Sequence, residues 1–113
     1  GFVPKALELS LLSGIVTTTT DESIEMAQRL AREEGIFCGI SSGCNVAAAL
    51  KLGRAHPELG CIVTNINDTG QRYFTTALCG EEKHVDIPER DHAVDAYSAA
   101  ELDKYAPEWE IIN

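Results

Sequence analysis

Gly39-Ile40-Ser41-Ser42-Gly43 is the stretch on which the reading of this chain turns. The apolar run Ile36-Phe37-Cys38 leads into it, and Asn45-Val46-Ala47-Ala48-Ala49-Leu50-Lys51-Leu52 leads out. A strand, a Gly/Ser turn and a helix in that order is how a parallel sheet presents a ligand site at the carboxyl ends of its strands. Ser41 and Ser42 stand where a hydroxyl either caps the helix or reaches a bound molecule.

Working outward, the β-branched run at residues 15–19 predicts a strand after an irregular first 14 residues. Thr19 and Glu22 have capping-box spacing for the helix that follows. Its apolar stripe is Ile24, Ala27, Leu30 and Ala31, with Glu25 and Arg29 as an outer i,i+4 pair. Gly35 is the expected left-handed terminator. Residues 36–38 then read as a short buried strand and residues 42–55 as a second helix. Gly43, Ala47 and Ala48 give that helix a face that lets its backbone pack closely, either against the sheet or against a flat ligand. Pro57 and Gly60 close the next loop. Residues 61–66 read as a central strand, Asn67-Asp68-Thr69-Gly70 as a turn, and residues 71–78 as a helix. The order is β-α-β-α-β, with right-handed crossovers between parallel strands.

Composition narrows the function. A formal net charge of -9 argues against a nucleic-acid or anionic-membrane surface, both of which need clustered Lys and Arg. Cys38, Cys44, Cys61 and Cys79 form no C-x-x-C pair, and His56, His84 and His92 have no ligand spacing beside them, so no metal site is expected. Cys38, Cys44 and Cys61 fall in or beside apolar runs and read as small hydrophobes of a reducing cytoplasm. No apolar run approaches the ~18 residues of a membrane span. Residues 81–95 read as an exposed acidic segment and Ser98-Ala99-Ala100-Glu101 as the capping box of a short helix to Tyr105, stopped by Pro107. Trp109, Ile111 and Ile112 form an apolar end expected to dock on its own domain or on a partner subunit.

Four stretches read together resemble the C-terminal part of the cysteine synthase (O-acetylserine sulfhydrylase) group of fold-type-II pyridoxal-phosphate enzymes. They are Gly1-Phe2-Val3-Pro4, residues 21–35 (DESIEMAQRLAREEG), GISSG with its alanine-rich helix, and residues 68–77 (DTGQRYFTTA). The likeness covers residues 1–79. It implies an α/β fold, a three-layer α/β/α arrangement with parallel strands that completes the larger domain of such an enzyme. Residues 80–113 are then an acidic C-terminal tail with a short helix.

The resemblance implies that Ser41 donates a hydrogen bond to the pyridine nitrogen of pyridoxal 5'-phosphate, and that Asn67 lies near the same ring edge. A carboxylate at that nitrogen would keep it protonated and favour transamination among other paths. A neutral serine leaves it largely unprotonated, so that loss of a β-leaving group competes well. For Arg72 and Tyr73 packing at a helix start is the expected role. Asn67 stands where the family commonly has proline, Gln71 where it has glutamate, and Cys44-Asn45 where it has small alanines.

The implied reaction makes L-cysteine from O-acetylserine and sulfide; the alternatives are a cystathionine β-synthase-like condensation with homocysteine and a non-catalytic binding or regulatory relative. No catalytic residue is assigned within the chain. Lys5, Lys51, Lys83 and Lys104 match none of the context of the family's Schiff-base lysine, and no glycine-rich phosphate loop is present. The expectation is a fragment or one half of a split enzyme, inactive alone and needing the rest of the enzyme. A homodimer is the implied assembly, with serine acetyltransferase as a further partner.

Overall fold

The computed structural model describes residues 2–80 and 93–113. The acidic segment therefore lies outside the described residues, except for residues 93–95 at its end. The chain is mixed α/β and divides into two units. The described residues of one are 2–15 and 93–111, and those of the other are 16–80 with 112–113.

Helix α1, Thr20–Glu33, is the element whose local chemistry is most complete. The Thr19 hydroxyl accepts from the Glu22 N–H at 3.2 Å, and the Glu22 carboxylate accepts from the Thr19 N–H at 2.7 Å. This is the expected capping box, and it satisfies two of the donors a helix start leaves open. Gly35, at φ 71, ends the helix as expected, and the Ile36 N–H turns back to the Leu30 carbonyl at 2.9 Å. The predicted Glu25–Arg29 pair is not the one formed. Arg29 instead forks onto both oxygens of Glu33, at 2.9 and 3.0 Å, because carboxylates four residues to either side compete for one guanidinium.

Helix α2, Ile40–Ala55, begins two residues earlier than the sequence suggested, with Gly39 as its cap. The small-residue face, expected against the sheet or a flat ligand, packs at Gly43 on α1 instead. A Cβ on Gly43 would lie 2.1 Å from the Ser23 carbonyl oxygen and 2.8 Å from the Ala27 amide nitrogen. Ala27 on α1 and Ala47 on α2 are both buried. Lys51 ties the pair together at the other side. Its ammonium donates to the Thr17 carbonyl at 2.9 Å and meets both Glu22 oxygens at 2.8 and 3.0 Å.

The predicted three-stranded sheet is not what forms among the described residues. Its only sheet joins β1, Gly14–Val16, to β2, Glu110–Ile112. The two run parallel, the Glu110 N–H donating to the Ser13 carbonyl and the Thr17 N–H to the Ile112 carbonyl. Residues 36–38 contribute a single antiparallel bridge between Cys38 and Thr69. Residues 61–66 carry no ladder, and Val63 is 89% exposed. A strand exists only through a paired neighbour, and among the described residues none lies beside this run. Residues 71–78 are not an α-helix either. A 3-10 turn, Gly70–Tyr73, is followed by further turns, with the Thr76 hydroxyl bonded back to the Tyr73 carbonyl at 2.7 Å.

The core of the second unit is Ala27, Leu30, Cys38 and Leu78, with Met26, Ile40, Val46 and Tyr73 packed against it. In the first unit helix α3, Ala96–Tyr105, packs on the 3-10 turn Leu9–Leu11. Its cap is Asp95, not Ser98: Asp95 accepts from the Ser98 N–H at 3.0 Å and from its hydroxyl at 2.7 Å. Ser98 is buried on the third helical residue, where its oxygen accepts from the Val3 N–H at 2.7 Å. The shift of three residues arises because Asp and Ser are both good caps and only one is needed. Pro107 follows the helix end as expected. The chain end docks by strand pairing, leaving Trp109 half-buried and Ile111 exposed.

Candidate functional site

The start of α2 is held from one side by the turn that follows residue 66. The Gly39 N–H reaches the Asp68 carbonyl at 3.4 Å, and the Gly70 N–H reaches the Phe37 carbonyl at 3.1 Å. Two glycines permit this closeness. A Cβ on Gly39 would meet the Asp68 carboxylate at 2.1 Å and the Tyr73 ring at 2.6 Å, and one on Gly70 would enter the Phe37 ring. Glycine at residue 39 removes a side-chain cap, so the first N–H groups of α2 keep their positive end of the dipole unneutralised by its own chain.

The two serines divide their work. Ser42 is fully buried, and its oxygen accepts from the Asn67 N–H at 3.0 Å, stapling the turn to the helix. Ser41 is exposed on the second helical residue, and its hydroxyl has no partner among the described residues. The capping role open to Ser41 in the sequence is thus not the one it plays, because the helix has already begun at Ile40.

Around this pair the chemistry is fixed by burial and by one carboxylate. Tyr73 donates its hydroxyl to Asp68 Oδ2 at 2.7 Å, and that bond is the main cause raising the phenol above its ordinary pKa. Asp68 Oδ1 is buried with no partner among the described residues. The Cys38 thiol is pushed up, first by burial, against the opposing pull of the Ser42 hydroxyl. It is inert filling, whereas Cys61, expected as a small hydrophobe, is exposed. Tyr73 packs as expected. Arg72 does not pack, its side chain lying exposed.

Asn67, the other candidate, is exposed, and its side chain continues a chain of amides that sequence reasoning did not assemble. Asn45 Nδ2 donates to the Asn65 carbonyl at 3.2 Å and to Asn65 Oδ1 at 3.1 Å, and Asn65 Nδ2 donates to Asn67 Oδ1. The signal available in the sequence was that Asn45 and Asn67 both replace small or rigid residues of the pattern. Ser41 and Asn67 are brought to one end of α2 through Ser42. No group of three metal-ligating side chains occurs among the described residues, and none of their helices is long and apolar enough to cross a membrane.

No protein-family model matches the chain. It is 46% identical over 79 residues to cysteine synthase 3 of Caenorhabditis elegans, a match covering 69% of this chain and 23% of that protein. Cysteine synthase A of Escherichia coli K12 gives 46% over 79 residues, 69% of this chain and 24% of the enzyme. O-ureido-L-serine synthase of Streptomyces lavendulae is 42% identical over 77 residues, 68% of this chain and 24% of that protein. Among solved structures, a lysine-to-alanine variant of O-ureido-L-serine synthase with O-ureido-L-serine bound aligns over 90% of this chain and 29% of its own. The TM-score is 0.64 and the identity 36%. The chain thus spans about a quarter of the length of the curated relatives it matches. A likeness of sequence to cysteine synthases and O-ureido-L-serine synthase, and a likeness of fold to the latter, thus point to one group of related enzymes.

Proposed function

We propose that this chain is the C-terminal part of a pyridoxal-phosphate enzyme that makes L-cysteine from O-acetylserine and sulfide by β-replacement. Residues 1–79 would complete its larger three-layer α/β/α domain, and residues 80–113 its tail. The observation that carries the reading is Ser41. It is a hydroxyl on the first turn of a glycine-capped helix, neither cap nor core, beside a turn stapled to that helix by Ser42.

The donor set fits the cofactor's ring. Ser41 offers an O–H and the Asn67 amide an N–H, and an unprotonated pyridine nitrogen is an acceptor. Asp68, the carboxylate next in the chain, is turned away: one oxygen is held by Tyr73, and the other lies against Gly39. A carboxylate that reached the ring nitrogen would favour its protonated form. Keeping Asp68 on Tyr73 leaves a neutral hydroxyl as the group available there. When bound, the cofactor withdraws electrons from the amino acid's α-carbon and so eases loss of the β-substituent. This chain orients the ring and sets the state of its nitrogen. The covalent lysine would come from the rest of the enzyme, consistent with Lys51 having its ammonium engaged by Thr17 and Glu22.

Ser41→Asp in the assembled enzyme tests the reading. An acid in the first turn suits the helix dipole, so stability should hold. The cofactor spectrum should change and single-turnover β-elimination should fall on the order of tenfold or more. A normal spectrum with normal elimination would remove Ser41 from the site. A second reading, in which the product is O-ureido-L-serine, is favoured by the likeness to the synthase of that name over 90% of the chain. Supplying the assembled enzyme with O-acetylserine and either sulfide or hydroxyurea, then measuring the product, separates the two.

A further inference from the structure

The three asparagines beside Ser42 have a polarity that can be worked out from one fixed point. A backbone carbonyl only accepts. Asn45 Nδ2 lies 3.2 Å from the Asn65 carbonyl, so the nitrogen of that amide must face Asn65. The same nitrogen is 3.1 Å from the Asn65 side chain, which must therefore present its oxygen. The Asn65 nitrogen then points to Asn67, whose contacting atom is its oxygen. One carbonyl thus sets the direction of three amides that are otherwise free to flip. What remains at the end is Asn67 Nδ2, a donor without a partner among the described residues. It belongs to the residue whose N–H is bonded to Ser42.

We propose that Asn45 and Asn65 are positioning residues, a polarity relay that presents the Asn67 amide as a hydrogen-bond donor to the ring nitrogen of bound pyridoxal phosphate, alongside the Ser41 hydroxyl. The inference rests on the function proposed above for its ligand, but not for the relay itself. The ring nitrogen has one in-plane lone pair, which the Ser41 hydroxyl and the Asn67 amide would share as two neutral donors, leaving it unprotonated. The relay also explains why residue 67 is useful as asparagine: an amide of unset polarity would present donor and acceptor by turns, whereas a set one presents only the donor.

Asn65→Asp inverts the relay. A carboxylate at residue 65 only accepts, so Asn67 must turn its nitrogen toward it and leave its oxygen outward. On the full chain, the side-chain NH₂ signals of Asn67 should then shift and exchange with water several-fold more slowly than in the wild type, while the Asn45 signals change little. In the assembled enzyme, Asn65→Asp and Asn67→Ala should each weaken pyridoxal-phosphate binding about tenfold, the effect of one lost hydrogen bond. Each should also move the ¹⁵N resonance of labelled ring nitrogen toward its free value. Thermal stability serves as the control, since residues 65 and 67 are exposed. If Asn65→Asp fails to fold, Asn67→Ala and Asn65→Ala carry the same comparison. Unchanged Asn67 signals in Asn65→Asp would overturn the relay. Inversion on the chain with unaltered affinity and ring resonance would overturn its assignment to the cofactor. A wild-type enzyme that binds no pyridoxal phosphate would overturn the proposed function and leave the relay standing.

Discussion

The two helices of the second unit begin in opposite ways. Helix α1 starts on a complete capping box, with Thr19 and Glu22 satisfying each other and Lys51 closing on the same carboxylate. Helix α2 starts on Gly39 with no side-chain cap, because a carboxylate and a tyrosine ring occupy the space a side chain would need. The first start is made for stability. The second leaves donors open, which is the condition for binding an acceptor. The candidate site lies where the chain declines an interaction that its neighbour uses.

The comparison can be broken at the seam the helices share. Gly43→Ala puts a methyl group within 3 Å of backbone atoms of α1, which cannot move aside as a side-chain tip would. The cost should reach the upper range for overpacking, about 3 kcal/mol. Gly60→Ala, with nothing within 4 Å of its Cβ, should be near neutral by the same denaturant titration. Equal losses would show that the helices are not in contact through Gly43.

A sharper test sets the two starts side by side. Thr19→Ala should lose about 0.5–2 kcal/mol, the usual worth of a cap. Ser41→Ala should stay within about 0.5 kcal/mol of wild type, as for exposed residues without a structural role. If Ser41→Ala proves as destabilising as Thr19→Ala, the contrast between the two helix starts fails.

The smallest expected effect is a pH dependence. Glu22 has its carboxyl held below the ordinary value of 4.5, first by the Lys51 hydrogen bond and then by the Thr19 N–H. A carboxylate with a depressed folded-state pKa contributes stability that is present above its unfolded value and is lost as pH falls through the folded one. The difference in denaturation midpoint between wild type and Glu22→Gln should therefore be seen above about pH 4.5 and shrink in stronger acid. A difference that grows toward low pH would contradict the assignment.

How much of this could be read beforehand follows the range of the interactions. Thr19, Glu22 and Gly35 act within a turn of themselves, and their roles were plain in the sequence. The start of α2 was misplaced because its determinants, the Asp68 carboxylate and the Tyr73 ring, lie about 30 residues further on. Residues 61–66 have the composition of a central strand, yet composition cannot supply a pairing neighbour. Within the site Ser41 was legible as a hydroxyl at a strand–helix turn. Its separation from Ser42 was not, since only contact with Asn67 makes one serine a staple and leaves the other open. Asn65 carried no local signal at all; its meaning comes from Asn45, 20 residues away.

The missing side chain at Gly43 also has a mechanical consequence. With the backbone of α1 seated where a Cβ would otherwise be, and Lys51 clasping the far edge, α1 and α2 are geared together. Ser41 cannot advance or retreat by sliding its own helix alone, because the neighbouring helix is meshed with it. Any adjustment toward a ligand is a tilt of both, and its compliance is set by the short link at residues 34–39, whose one left-handed residue is Gly35. The serine is thus mounted on a two-beam lever whose stiffness was fixed by removing a single carbon.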